Sequence, residues 1–291
     1  MKGREASRGA TASRGAGPRG TGPALWERLD EFLSADDAGA LEAFLLEHSG
    51  LPGPRGNLEL AHALADKLAA EPARARVRTR LESWRGLGLE EAPAGDPREY
   101  LSFCGTLALS ADWAGGRARA GIERGLRDAA GDPRWRMREA AAMALQRIGE
   151  RDPQALLSIL GGAAGQEGWV EGGARLELRA AAAALAHPPL LRESGFARRS
   201  LELADRILGK FAAAPPAARR EEGFRVLQQG LGFALSVLVA AEPEAGFALL
   251  ERWASARDPD VVRVLRENLK KKRLGGHADR VLRLSARLGG E

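Results

Sequence analysis

Cysteine, tyrosine and the β-branched residues are scarce in this 291-residue chain. It holds one Cys and one Tyr, and Val, Ile and Thr together number 17. A sheet of any size needs more of the residues that fit a pleated surface, so a substantial β-sheet is excluded. Cys104 closes no intramolecular disulfide, and its neighbours Leu101, Ser102, Phe103 and Gly105 read as the surroundings of a small buried residue rather than of an activated thiol. A reducing, cytoplasmic setting is expected. The longest apolar run, 231–241, is broken by Gly232 and Ser236 and falls short of the roughly 20 residues of a membrane span, so no membrane segment is expected. The four histidines, at 48, 62, 187 and 277, form no His-Glu-x-x-His, and Gly-x-x-x-x-Gly-Lys-[Ser/Thr] is missing too. Without strands there is no elbow to present a Ser nucleophile. Metal, nucleotide and hydrolase chemistry have no support, and no cofactor is expected. Glu59 and His62 have the Glu-x-x-His spacing of di-iron helices, but with no second copy they read as a solvated helix face.

Charge is plentiful but uneven. The net +5 is concentrated at the ends: residues 1–20 carry +4, residues 258–291 carry another +4, and the stretch between them carries −3. Lys2, Arg4, Arg8, Arg14 and Arg19 stand among Gly, Ser and Ala without the apolar core of a signal peptide, so 1–21 is expected to be a disordered basic tail and 22–291 the folded domain. Six Lys against 38 Arg points either to compositional drift or to an arm for nucleic acid or an acidic partner.

Ala, Leu, Arg and Glu, all strong helix formers, fill the chain instead, and Pro and Gly divide it into about fourteen helical stretches. The fold class is all-α. Leu25, Leu29, Phe32 and Leu33 sit at helical spacing, and Asp36 and Asp37 can cap a second helix carrying Leu41, Phe44 and Leu45. Pro52 and Pro54 forbid a helix over 51–56, after which Asn57 caps a helix from Leu58 to Ala70. Further helices are expected over 72–86, 97–113, 117–130, 133–149, 153–163, 173–186, 197–213, 221–241, 243–255, 259–272 and 278–288.

An internal repeat is the strongest pattern. Asp132-Pro133-Arg134-Trp135-Arg136-Met137-Arg138-Glu139 shares its grammar with Asp258-Pro259-Asp260-Val261-Val262-Arg263-Val264-Leu265-Arg266-Glu267, and Leu178-Arg179-Ala180 begins a third copy. Arg138 to Arg179 is 41 residues and Arg179 to Arg266 is 87, close to two periods of about 43. The acidic-Pro turn, the Arg six residues after an Asp, the Ala-rich face and the closing Leu resemble HEAT repeats, most clearly over 132–291. The strings Leu51–Leu60, Asp132–Glu139 and Arg266–Leu274 are similar to hallmark strings of a narrower prokaryotic HEAT-repeat family. The resemblance implies an α-α superhelix over 22–291, an armadillo-like solenoid of stacked antiparallel helix pairs whose second helices line a concave side. It also implies a non-enzymatic scaffold or adaptor that binds a macromolecule there, a protein in the first place and nucleic acid in the second.

Residues able to contact such a partner fall in three groups. The loop Pro52-Gly53-Pro54-Arg55-Gly56-Asn57 is either a rigid connector ending in a helix cap or a backbone-shaped pocket in which Arg55 holds an anion. Lys270, Lys271, Lys272 and Arg273 are expected at the exposed end of a helix, where cations meet terminal carbonyls; under a nucleic-acid reading they contact phosphate. Trp135 lies beside Arg134 and Arg136, with Glu139 one turn on along the same face. In one reading Trp135 packs between repeats and Glu139 sits in a salt bridge. In the other, the pair resembles the HEAT-like alkylpurine DNA glycosylases, whose concave surface holds duplex DNA while aromatic and carboxylate side chains face the damaged nucleotide. Trp135 and Glu139 match that aromatic-then-acid spacing, which implies DNA alkylation repair with these two as the catalytic pair; Trp113 and Trp169 are further aromatics available for stacking, with no motif that fixes them to that role. The −3 body counts toward a protein partner, because duplex DNA requires a basic groove. Arg138 and Arg266 are expected to pair with the Asp before them across a turn, or with a neighbouring repeat.

Overall fold

The computed structural model describes residues 23–115, 119–163 and 165–289; the expected basic tail over 1–21 lies outside them. The described residues form helices and turns, with one isolated bridge between Ala163 and Gln166. In chain order the helices are α1 (Pro23–Ala35), α2 (Ala38–Glu47), α3 (Leu58–Ala70), α4 (Ala75–Arg85), α5 (Pro97–Ala114), α6 (Arg119–Ala130), α7 (Trp135–Arg151) and α8 (Pro153–Gly161). They continue as α9 (Trp169–Gly172), α10 (Arg175–Leu185), α11 (Ser194–Ala212), α12 (Glu222–Ala241), α13 (Pro243–Ala254), α14 (Pro259–Leu269) and α15 (Ala278–Gly289).

Acidic and amide caps start many of these helices. The side chains of Asp37, Asn57, Asp96, Asp152 and Asp258 each accept a backbone N–H in the first turn, and the last three are followed by Pro at the first helical position, where its missing N–H is harmless. Asp132-Pro133 reads alike but acts differently. The helix expected from 133 begins at Trp135: the Asp132 carboxylate accepts from the Arg134 N–H (2.7 Å) and guanidinium just as Asp96 does from Arg98, but the Arg134 guanidinium is also buried and drawn to the Leu87 and Ala92 carbonyls. The short α9 had no counterpart in the expected helices; Gly162, at φ 88°, ends α8, and Trp169 is fully buried beneath the Arg127 guanidinium, 4.8 Å away.

Packing follows chain order. Helices α3, α5, α7, α10, α12 and α14 touch successively, and α8, α11, α13 and α15 form a second succession against them. Helix α5 is the most enclosed, with Glu99 to Ala111 and Trp113 all buried between α2, α3, α4, α6 and α7. Gly105 lets α4 approach, since a Cβ there would stand 2.8 Å from the Leu81 carbonyl. Within α5 burial pushes the Cys104 thiol up to about 12, as suits a small core residue. Helix α12, at 20 residues, is the one described helix long and apolar enough to cross a membrane by length and composition, and just over half of its apolar stretch is buried against its neighbours.

Candidate functional site

The loop leading into α3, the first residue of α3 and the first half of α7 flank an open groove pocket of about 210 Å³ above α5. Its floor is Tyr100 and Phe103 of α5, whose rings lie parallel with centroids 6.3 Å apart. One wall is Arg55, Gly56 and Leu58; the other is Trp135, Arg136, Glu139 and Met143 of α7. Trp135, Glu139 and Met143 recur every fourth residue, so they share one helix face.

The 51–56 loop is held rigidly. Gly50 takes φ 75°, and a Cβ on Gly53 would stand 2.4 Å from the Gly50 carbonyl, so the turn closes only around glycine. Asn57 accepts from the Leu60 N–H (3.1 Å) and donates to the His48 carbonyl (3.0 Å). The Tyr100 hydroxyl donates to the Asn57 carbonyl (2.6 Å), and burial pushes its pKa well above the ordinary phenol value. Asn57 is therefore a helix cap fastened from two sides, and Arg55 stands exposed on the fixed loop at the pocket rim with no hydrogen bond or ion pair among the described residues.

Two arginines of α7 cross the groove. Arg136 donates to the Gly53 carbonyl (2.8 Å) and to the fully buried Glu99 carboxylate (3.1 Å), and its guanidinium lies 4.6 Å over the Trp135 ring. At the other end Arg147 reaches His62 (3.1 Å), Asp66 and the Ser110 hydroxyl (3.1 Å). Desolvation, reinforced by the Arg147 charge, lowers the His62 pKa. Glu139 is engaged in an ion pair with Arg179 of α10.

These positions correct several expectations. Trp135 is not packed between repeats: it is 47% exposed at the rim, with one ring face covered by Arg136, whereas Glu139 does sit in a salt bridge. Arg134 is no partner contact. It is buried, and its guanidinium donates to Asp132, the Leu87 carbonyl (3.0 Å) and the Ala92 carbonyl (2.9 Å). Arg138 does not pair with the Asp132 carboxylate: it donates to the Asp132 and Pro133 carbonyls (3.0 and 3.1 Å) and forms an ion pair with Glu222 of α12 (3.5 Å), Arg266 takes the Leu288 carbonyl of α15, and Asp258 and Asp260 pair with Arg219. Trp113 and Trp169 are buried away from the groove lining. Glu59 is exposed as expected, but His62 is a bridge partner of Arg147 rather than solvated. The basic run stands apart at the end of α14: Lys270 caps the helix and pairs with Glu267, Lys271 and Lys272 follow, and Arg273 stacks 4.5 Å over the exposed Phe233.

Tyr100, Phe103, Leu58 and Met143 were not singled out from the sequence. The four-residue spacing of Trp135, Glu139 and Met143 was legible there; the α5 floor was not, because it joins α7 only in the fold. Among the described residues no group of three metal-capable side chains converges, and the ionisable groups lining the pocket other than Arg55 are committed to partners. The arrangement is equipped to hold an apolar or aromatic group beside an anion. Compared with known proteins, the chain matches no family model, no curated protein and no solved structure.

Proposed function

We propose that the chain is a non-enzymatic HEAT-like scaffold, with α3, α5, α7, α10, α12 and α14 on its inner side, that binds a protein partner at the α3–α7 groove. The observation that carries this reading is a pocket whose lining is apolar and aromatic while its carboxylate is neutralised by Arg179. Half-exposed aromatics in a preformed depression are the usual anchors of protein interfaces. Regularly spaced helix pairs and successive helix contacts support the repeat architecture. The test is a photo-crosslinking residue at the exposed position 54, with position 251 of α13 as control. Crosslinks to a host protein from 54 alone, lost with Trp135→Ala, are expected; equal crosslinking from both positions overturns the reading.

A second reading, excision of an alkylated base, is favoured by one observation: Trp135 is exposed at the rim with Glu139 one turn on. It requires Glu139 to leave Arg179, so that its carboxylate can stabilise positive charge developing on the sugar. Release of a methylated purine from duplex DNA by the wild type, abolished by Glu139→Gln with the fold intact, would establish it in place of the scaffold.

A further inference from the structure

We infer that the groove pocket receives one aromatic side chain from an acidic segment of a partner protein, with Arg55 binding the carboxylate beside that ring. This rests on the scaffold reading and specifies the chemistry of its occupant.

Size and closure set the shape of the guest. About 210 Å³ is below the roughly 300–1,000 Å³ of sites for drug-sized ligands, so the pocket takes a single ring system. Arg136 bridges to Gly53 at one end and Arg147 to His62 and Asp66 at the other, about 16 Å apart along α7 at helical rise. A chain therefore does not thread lengthwise. It enters from the open face, side chain first.

The walls and the charge set its chemistry. Trp135 keeps exposed ring surface for a guest while Arg136 covers one face, and Tyr100 and Phe103 below offer further aromatic contact. Glu139 is matched by Arg179 and Arg136 by Glu99, which leaves Arg55 as the unmatched charge among the described lining residues. A carboxylate flanking the ring meets the free guanidinium of Arg55, carried at the rim by the fixed Gly53–Asn57 loop, in a charge-assisted hydrogen bond. A basic segment is repelled, and one unmatched cation is too few to hold duplex DNA, which binds through many phosphate contacts.

The experiment is fluorescence anisotropy of the full chain with a fluorescein-labelled peptide, Gly-Ser-Asp-Asp-Trp-Asp-Asp-Ser. Saturable binding is expected. Replacing the peptide's Trp by Ala, or all four Asp by Asn, should weaken it at least about tenfold. Arg55→Glu should weaken binding of the acidic peptide about tenfold or more while circular dichroism and melting stay at wild-type values, because the Arg55 side chain is exposed and makes no hydrogen bond or ion pair among the described residues. Equal binding of the Ala or Asn peptide, indifference to Arg55→Glu, or no binding up to about 1 mM overturns the proposal. So does displacement of the peptide by short duplex DNA whose own binding depends on Arg55. If the peptide fails while Trp135-dependent crosslinking from position 54 persists, the occupant's chemistry is wrong and the groove's binding role stands; if both fail, both readings fall.

Discussion

Arg134 and Trp135 are chain neighbours with opposite surroundings. Arg134→Ala strips partners from the Asp132 carboxylate and from the Leu87 and Ala92 carbonyls. Removing one member of a buried charged network costs about 3–5 kcal/mol. Trp135→Ala should cost only about 1–2 kcal/mol, since full truncation values belong to buried rings. Urea unfolding followed by circular dichroism measures both, and limited proteolysis should cut segment 86–96 only in Arg134→Ala; equal losses would contradict the placement of Trp135. His62 gives a pH dependence of known sign. Its folded pKa lies below 6.5 through desolvation and the Arg147 charge, against the raising influence of Asp66 and Glu150. The unfolded chain therefore takes up the proton first. Stability attributable to His62 is full above pH 6.5 and declines as pH falls toward the folded value. His62→Gln should flatten that decline between pH 7.5 and 5.5, and an unchanged slope would place the titration elsewhere.

Among the elements, α3 depends most visibly on one residue. Asn57 satisfies a first-turn N–H and also ties down the His48 carbonyl, so Asn57→Ala should lower the unfolding free energy by about 1–2 kcal/mol. A loss within error in a urea titration would show that Tyr100 alone holds the junction. Local chemistry of this kind was readable in advance: Asp-Pro at 96, 152 and 258 announces a cap because donor and acceptor lie within one turn. Asp132-Pro133 carries the same two letters but leaves the helix to start two residues later, since Arg134 reaches Leu87 and Ala92, more than forty residues upstream. The groove divides likewise. Its α7 stripe follows from helical spacing, whereas the bridges Arg136–Gly53 and Arg147–His62 join residues more than eighty apart and leave no trace in any local pattern.

For the molecule as a whole, the all-α class follows from the scarcity of strand formers, while the order of packing needed the fold. Contacts pass mainly from each helix to its successors, so the two ends are held by fewer neighbours than the middle: α15 touches α13, α14 and the 272–277 segment, whereas α5 is enclosed by five helices. Openings in such an array begin at the ends.

The enclosure of α5 also bears on the order of events in folding. A helix surrounded by five others cannot be inserted last without parting them, so α5 should already be docked at the rate-limiting step. Leu107→Ala in α5, where the side chain is fully buried, should mainly slow refolding, with a φ-value of about 0.5–0.8. Leu288→Ala in α15 should mainly speed unfolding, with a φ-value of about 0–0.3. Stopped-flow chevrons of the two variants distinguish these outcomes, and the reverse assignment would mean that the chain closes around α5 only after the barrier has been crossed.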